Sequence, residues 1–314
     1  MKFSILHIDD QELEGRLLKL ELEKVDANLQ VMTASAPDEM RDAVENYYYH
    51  IAIVDLQYDN PKYDYKFDGI EIIKQIVAVN PMAKIIVVSG YTKSFTKDLN
   101  ELLKIRNPYF SSPNLIAIIE KGGDSTKTAQ EILVKVQEAQ HEYEMMPWVL
   151  QNALESDYAD AKNEPNSQTK GKKFERFVSL LFGNMGFQHI QRNVRDKSNE
   201  IDLIIRNDIA DPFFEKFSSH FLVECKNFSE RNKVDKNAFN AFEKKLMTSH
   251  GMTKLGFLVT SNSFASTIQV EAKDFSREDY KVILISNIEI IRILRSSNRF
   301  EVLKNIISEQ VRVG

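Results

Sequence analysis

The chain has 314 residues, 43% of them apolar and 28% charged, with a net charge of −5. That length exceeds one ordinary domain and suits two, each able to bury a core, while the composition excludes a disordered or collagen-like chain. One cysteine, Cys225, excludes an intrachain disulfide and points to a reducing compartment.

The apolar run Phe3 to Ile8 is too short for a signal peptide or a membrane span, and no later run is long enough, so the expected location is the cytoplasm. It reads instead as the first of five strands, followed by Leu29 to Thr33, Ile51 to Leu56, Lys84 to Val88 and Leu115 to Glu120, with helical patterns between them. Runs such as IAIVDL and KIIVVS are apolar on both faces. Such strands belong to a parallel sheet sandwiched by helices, so residues 1–124 are predicted to form a doubly wound, five-stranded α/β domain. The working site of such a sheet lies at the carboxyl ends of its strands.

Asp9 and Asp10 end the first of these strands and Asp55 ends the third. Crowded carboxylates repel, and a hard divalent cation with oxygen ligands relieves the repulsion. Ser89 ends the fourth strand and Lys121 the fifth. A hydroxyl and an ammonium facing a metal-bound carboxylate are what an aspartyl phosphate requires around its oxygens. Over about the first 124 residues this arrangement resembles the receiver domain of two-component response regulators, a flavodoxin-like fold. The resemblance implies that Asp55 accepts phosphate from a sensor histidine kinase or another phosphodonor. It also implies that Asp9, Asp10, Asp55 and the Gln57 backbone carbonyl hold Mg2+, with Ser89 and Lys121 sensing the phosphoryl group. The chain departs from the pattern in four places: Gly122 replaces the usual proline after the lysine, Ile118 replaces the usual aromatic switch residue, and QYDNPKYDYKFDG and Lys97 to Pro113 are longer than usual.

From Ser125 the pattern STKTAQEILVKVQEAQHEYEMM predicts one long helix, assigned to 125–154, which either projects toward the next domain or pairs with a second chain. The polar stretch after it, without apolar periodicity, is expected to be a linker over 155–170. Charge changes sign nearby: residues 1–154 hold 16 Lys and Arg against 24 Asp and Glu, and the rest 25 against 22. The sign change points to the second half as the one to meet nucleic acid, though a net of +3 is far from a strongly basic domain.

The second domain, expected over 171–314, opens on a helix in which Phe174, Phe177, Val178, Leu181 and Phe182 form an apolar stripe and Gly186 can end it. Strands are expected at Gln188 to Asn193, Ile201 to Arg206, Phe221 to Lys226, Leu255 to Thr260 and Val282 to Ile285, with helices across Val234 to Met247 and Phe264 to Phe275.

FLVECKN starts as a buried strand and then carries Glu224 and Lys226 on one face, with Cys225 on the other. The pair is either a cross-strand ion pair or half of a metal site. Pairing strands 201–206 and 221–226 in a hairpin would set Asp202 beside both, and Glu175 at the edge of the helix stripe could reach the same cleft. KKFERFVSLLFGNMGF, NEIDLII and FLVECKN together resemble the Mrr-like branch of the PD-(D/E)xK restriction endonuclease superfamily over about residues 170–297. The resemblance implies an α/β restriction-endonuclease-like domain with a mixed sheet and a second Mg2+ site made by Asp202, Glu224 and the Cys225 carbonyl. Lys226 would position and activate the attacking water, and Glu175 would assist through metal or water. Lys170, Lys172, Lys173, Arg176, Arg192, Arg195, Lys197, Arg231, Lys233 and Lys236 flank the cleft in sequence and could neutralise DNA phosphates.

The leading expectation is a Mg2+-dependent DNA endonuclease gated by phosphorylation at Asp55, suited to anti-phage defence and cutting both strands as a homodimer. The alternatives are a phospho-controlled DNA-binding protein on an inactive nuclease scaffold, or a phosphate sink.

Overall fold

The computed structural model describes residues 3–105, 107, 110, 112–122, 125–145, 147–196, 199–228, 232–249, 253–275 and 280–311. The chain divides into two compact units, Met1–Ala153 and Leu154–Gly314.

The first unit runs β1 (Phe3–Ile8), α1 (Glu12–Val25), β2 (Leu29–Ala34), α2 (Pro37–Asn46), β3 (Ile51–Val54), α3 (Gly69–Val79), β4 (Lys84–Ser89), α4 (Thr96–Leu102), β5 (Leu115–Glu120) and α5 (Ser125–Met145). Its strands lie in the order β2-β1-β3-β4-β5, and every pair is parallel. All residues of β1, β3 and β4 are buried, which requires helices on both faces. Met40 and Val44 of α2, Ile70, Ile73 and Ile76 of α3, and Leu99 of α4 form one core layer with Leu6, Ile8, Val54 and Val87 of the sheet. Outside that cluster, α1 and α5 pack against each other, α1 also against β2, and α5 against β4 and β5.

The single helix expected over 125–154 is divided. α5 ends at Met145, and α6 (Pro147–Asn163) opens on a proline, whose missing N–H is tolerated in a first turn and not in a helix interior. The length of α5 serves its own sheet: Ile132, Val136, Ala139 and Tyr143 are buried, and the Tyr143 hydroxyl donates to the Met82 carbonyl at 2.5 Å. Most of the stretch expected as a linker is helical as well, in α6 and α7 (Ser167–Asn184). Leu150, Leu154, Tyr158 and Ala161 are buried at helical spacing, a stripe that alanine and tyrosine conceal in an otherwise polar segment.

The second unit continues with β6 (Ile190–Asp196), β7 (Asn199–Arg206), β8 (His220–Lys226), α8 (Lys236–Met247), β9 (Leu255–Thr260), α9 (Ser266–Phe275), β10 (Lys281–Ile285), α10 (Asn287–Leu294) and α11 (Arg299–Val311). Its sheet is mixed, in the order β10-β9-β8-β7-β6. β6, β7 and β8 are antiparallel neighbours, whereas β8, β9 and β10 are parallel because helices α8 and α9 carry the chain back between them. Asn166 caps α7 by accepting from the Gln168 and Thr169 amides at 3.1 Å, and Gly186, at φ +103°, follows its last turn.

Leu222 and Leu258 pack with Phe239, Phe242 and Leu246 of α8, so the even-numbered face of β8 looks toward that helix. The approach is close: a Cβ added to Gly256 would stand 2.7 Å from the Phe242 ring. Gly256→Ala is therefore expected to destabilise the protein by about 1–3 kcal/mol through overpacking, measured by chemical denaturation. An unchanged midpoint would show that α8 can lift from β9 without cost.

Candidate metal centres

The ends of β1 and β3 are adjacent because those strands pair, with His7 opposite Ile53 and Ile8 opposite Val54. Asp9, Asp10 and Asp55 follow them, all buried, each offering an oxygen within 4.8 Å of the others. β4 separates β3 from β5, so Lys121 reaches past the end of β4, where Ser89 is fully buried. Its ammonium donates to Asp9 Oδ2 at 2.7 Å, Asp55 Oδ2 at 2.8 Å and Glu14 Oε2 at 2.9 Å. Burial opposes its charge, but Asp9 and Asp55 outweigh that and hold its pKa above an ordinary lysine's. Burial also lifts the Asp9 carboxyl to about 6 against the pull of Lys121. Three carboxylates with a hydroxyl at the neighbouring strand end, all offering oxygen, suit a hard cation such as Mg2+.

The long stretch after Asp55 folds over this site. The Asp59 and Asn60 amides donate to Asp10 Oδ2 at 2.9 and 2.7 Å, joined by Gln11 Nε2 at 3.1 Å. Tyr58, Tyr63, Tyr65 and Phe67 stack along it, and the Tyr65 hydroxyl donates to the Ser35 carbonyl at 2.6 Å. Gly69 permits the return: a Cβ there would lie 2.0 Å from the Asp55 carbonyl oxygen. Gln57, half-buried, directs its backbone N–H toward Asp55 Oδ1 at 3.4 Å. Ile118, in the place of an aromatic switch, is 38% exposed.

In the second unit the register of β7 on β8 pairs Leu203 with Val223, and one further step sets Asp202 opposite Glu224. Asp202 Oδ2 accepts the Cys225 amide at 2.7 Å. Lys226 Nζ donates to Glu224 Oε1 at 2.7 Å. Burial, then the Glu224 charge, raise the Asp202 carboxyl to about 6. Glu175 stands on α7, where burial raises its carboxyl against the pull of Arg192, Glu200 and Glu224 add to the rise, and an Asn193 hydrogen bond opposes it. Asn193 sits opposite Asp202 at φ +52°, where the ladder between β6 and β7 is interrupted. For Lys226, burial opposes the charge and Glu224 outweighs it, so its pKa is raised. Burial, then Asp202, push the Cys225 thiol well above its usual range. Asp202, Glu224 and a backbone carbonyl again make an oxygen-only donor set suited to a hard cation, while both Glu224 oxygens are engaged by lysines, the second by Lys245 of α8.

Sequence reading did not find Lys245, because its only signal is a position beside Leu246 on the face of α8 that meets the sheet. Among the basic residues expected to face DNA, Lys173 pairs with Glu164 at 2.6 Å and Lys236 pairs with Glu271, so neither is free for phosphate in this state. Lys197 and Arg231 lie outside the described residues.

A carboxyl raised in the folded state favours folding below its unfolded pKa of 3.8, and that contribution is lost as pH rises through about 6. In metal-free buffer, Asp202→Asn should therefore gain stability relative to the unsubstituted protein between pH 4 and 7, on the order of 2 kcal/mol by pH 7. Denaturant titrations across that range measure it, and a gap that does not change with pH would show that the fold does not raise the Asp202 carboxyl.

No curated protein matches the chain. The first part is similar to solved structures of receiver domains. One, a CheY-like response regulator receiver domain from Methanospirillum hungatei, is 22% identical over 45% of this chain and 99% of that one, at a TM-score of 0.34. Another, the Thermotoga maritima response regulator protein TrrA in complex with Mg2+ and BeF, is 21% identical over 43% of this chain and 98% of that one, at 0.32. A receiver domain protein from Clostridium thermocellum is 20% identical over 46% and 98%, at 0.34. Residues 167–294, which contain Glu175, Asp202, Glu224 and Lys226, match the Mrr_cat restriction endonuclease model. The second domain is therefore the part of the chain similar to the Mrr_cat restriction endonuclease model, and the first domain is built on a five-stranded parallel sheet.

Proposed function

We propose that this protein is a response regulator whose output is a Mg2+-dependent DNA endonuclease, controlled by phosphorylation of Asp55. The observation that carries the reading is the convergence of Asp202, Glu224 and Lys226 from two strands inside the segment that matches a restriction endonuclease family. Asp202, Glu224 and the Cys225 carbonyl are the residues that would hold Mg2+, which when bound polarises a scissile phosphate and makes a water more acidic. Lys226, kept charged by Glu224, acts as a donor: it orients the attacking water and stabilises charge developing on the phosphate. Glu175, with its raised carboxyl, is suited to holding a proton at the edge of the site.

In the first domain, Asp9, Asp10, Asp55 and the Gln57 carbonyl would hold a second Mg2+ while Asp55 takes phosphate from a histidine kinase or a small phosphodonor. Lys121, bonded to Asp55 before phosphorylation, would then have phosphoryl oxygens to pair with, and Ser89 lies at the neighbouring strand end. A homodimer would allow both DNA strands to be cut, and a regulated nuclease of this kind, working in the cytoplasm, suits anti-phage defence. No helix among the described residues is long and apolar enough to cross a membrane.

One observation favours a second reading, a phospho-controlled DNA-binding protein without catalysis: each Glu224 oxygen already carries an ammonium. Plasmid nicking in Mg2+ separates the two. Asp202→Ala and Lys226→Ala should each reduce cleavage at least a hundredfold, on the order of 3 kcal/mol of transition-state stabilisation. Asp55→Ala should abolish the response to a small-molecule phosphodonor. DNA binding without nicking in any metal would favour the binding protein.

A further inference from the structure

Glu224 is gripped from two elements. Lys226 reaches Oε1 at 2.7 Å from its own strand, and Lys245 reaches Oε2 at 2.7 Å from α8. Lys245 also donates to the Glu200 carbonyl at 2.6 Å, two residues before Asp202 on β7. One ammonium thus ties together the two strands that bring the acids. Packing does not account for it, since Phe239, Phe242 and Leu246 anchor α8 in the core. The Lys245 side chain is only 17% exposed and Glu224 only 7%, so the pair is drawn largely out of water, which is costly for an ion pair with no further purpose.

The two lysines differ in their relation to the acids. Lys226 lies two residues from Glu224 on the same face of β8, so a strand that moves carries both. Lys245 belongs to a separate helix and meets Glu224 through a single oxygen. A cation bound by Asp202 and Glu224 needs a Glu224 oxygen, and the flexible lysine stem from α8 is the partner that can withdraw without moving the strand.

Resting on the reading of Asp202 and Glu224 as a cation site, we propose that Lys245 is a positioning residue that occupies the cation's place on Glu224 and must be displaced before a divalent ion binds. It holds Glu224 in register with Asp202 while the site is empty of metal, and it lowers the affinity for the ion by competition. A lysine that merely supports Glu224 would have the opposite influence, since its loss would weaken metal binding.

The sign of the change is the test. Mn2+ binding is measured by calorimetry on the full chain carrying Asp9→Asn and Asp10→Asn, so that the first domain's site is silent. Lys245→Met should bind Mn2+ about tenfold more tightly, the change expected when one charge-assisted hydrogen bond no longer has to be broken. Lys245→Arg, which keeps the charge, should bind no more tightly than the parent. Lys245→Gln, which retains a donor for the Glu200 carbonyl, carries the same expectation as Lys245→Met if that variant fails to fold. Binding that Asp202→Ala abolishes but that Lys245→Met leaves unchanged or weakens overturns the role of Lys245 alone. No Asp202-dependent binding in any variant overturns the cation site and the role of Lys245 together.

Discussion

Carboxylates brought together at strand ends repel one another, and in both domains lysines supply the compensating charge. In the first domain Lys121 spans Asp9 and Asp55 from the far side of β4, so the order β1-β3-β4-β5 sets the distance its side chain must cover. In the second, Glu224 is held by one lysine from its own strand and another from α8. In the first domain this leaves Asp9, Asp10 and Asp55 as a compact set of oxygens whose repulsion a divalent cation would relieve. Burial raises the Asp9 and Asp202 carboxyls, with Asp55 adding to the first and Glu224 to the second.

In the first site the long stretch after β3 holds Asp10. Its Oδ2 takes two backbone amides from the long stretch after β3, and four aromatic rings fix that stretch against the domain. Where an aromatic switch would stand, Ile118 is partly exposed, while the aromatic residues gather at Tyr58, Tyr63, Tyr65 and Phe67. Tyr58 is buried with its hydroxyl unpaired, beside the same acids that raise its pKa after burial itself. Packing and the Asp10 carboxylate together give an order to this insertion that its polar composition alone would not.

The second site is supported by what surrounds it. Asn227, next to Lys226, donates to the Ala161 and Lys170 carbonyls at 2.8 and 3.0 Å, and Ser261 donates to its oxygen at 2.5 Å. Tyr158, on the same helix as Ala161, donates to Asn287 Oδ1 at 2.6 Å. The segment that follows the first domain is therefore built into the frame of the Glu224 strand. This is the physical reason a stretch that reads as a linker is helical: its polar residues face outward, and its few buried ones are alanine and tyrosine, which carry little hydropathy signal.

Sequence alone determined the strands and both acidic motifs. Buried parallel strands must be apolar on both faces, and Asp9 and Asp55 follow the ends of two such runs, while Glu224 and Lys226 stand at the end of β8 and Asp202 lies within antiparallel β7. Pro147 also carried a local signal for dividing the long helix, since a proline is tolerated only in a first turn. Tertiary structure decided what local pattern cannot encode. The Asp59 and Asn60 amides on Asp10, the course of α6 and the grip of Lys245 on Glu224 each join elements distant in sequence, and their energy exists only once the sheet has brought those elements within hydrogen-bonding distance.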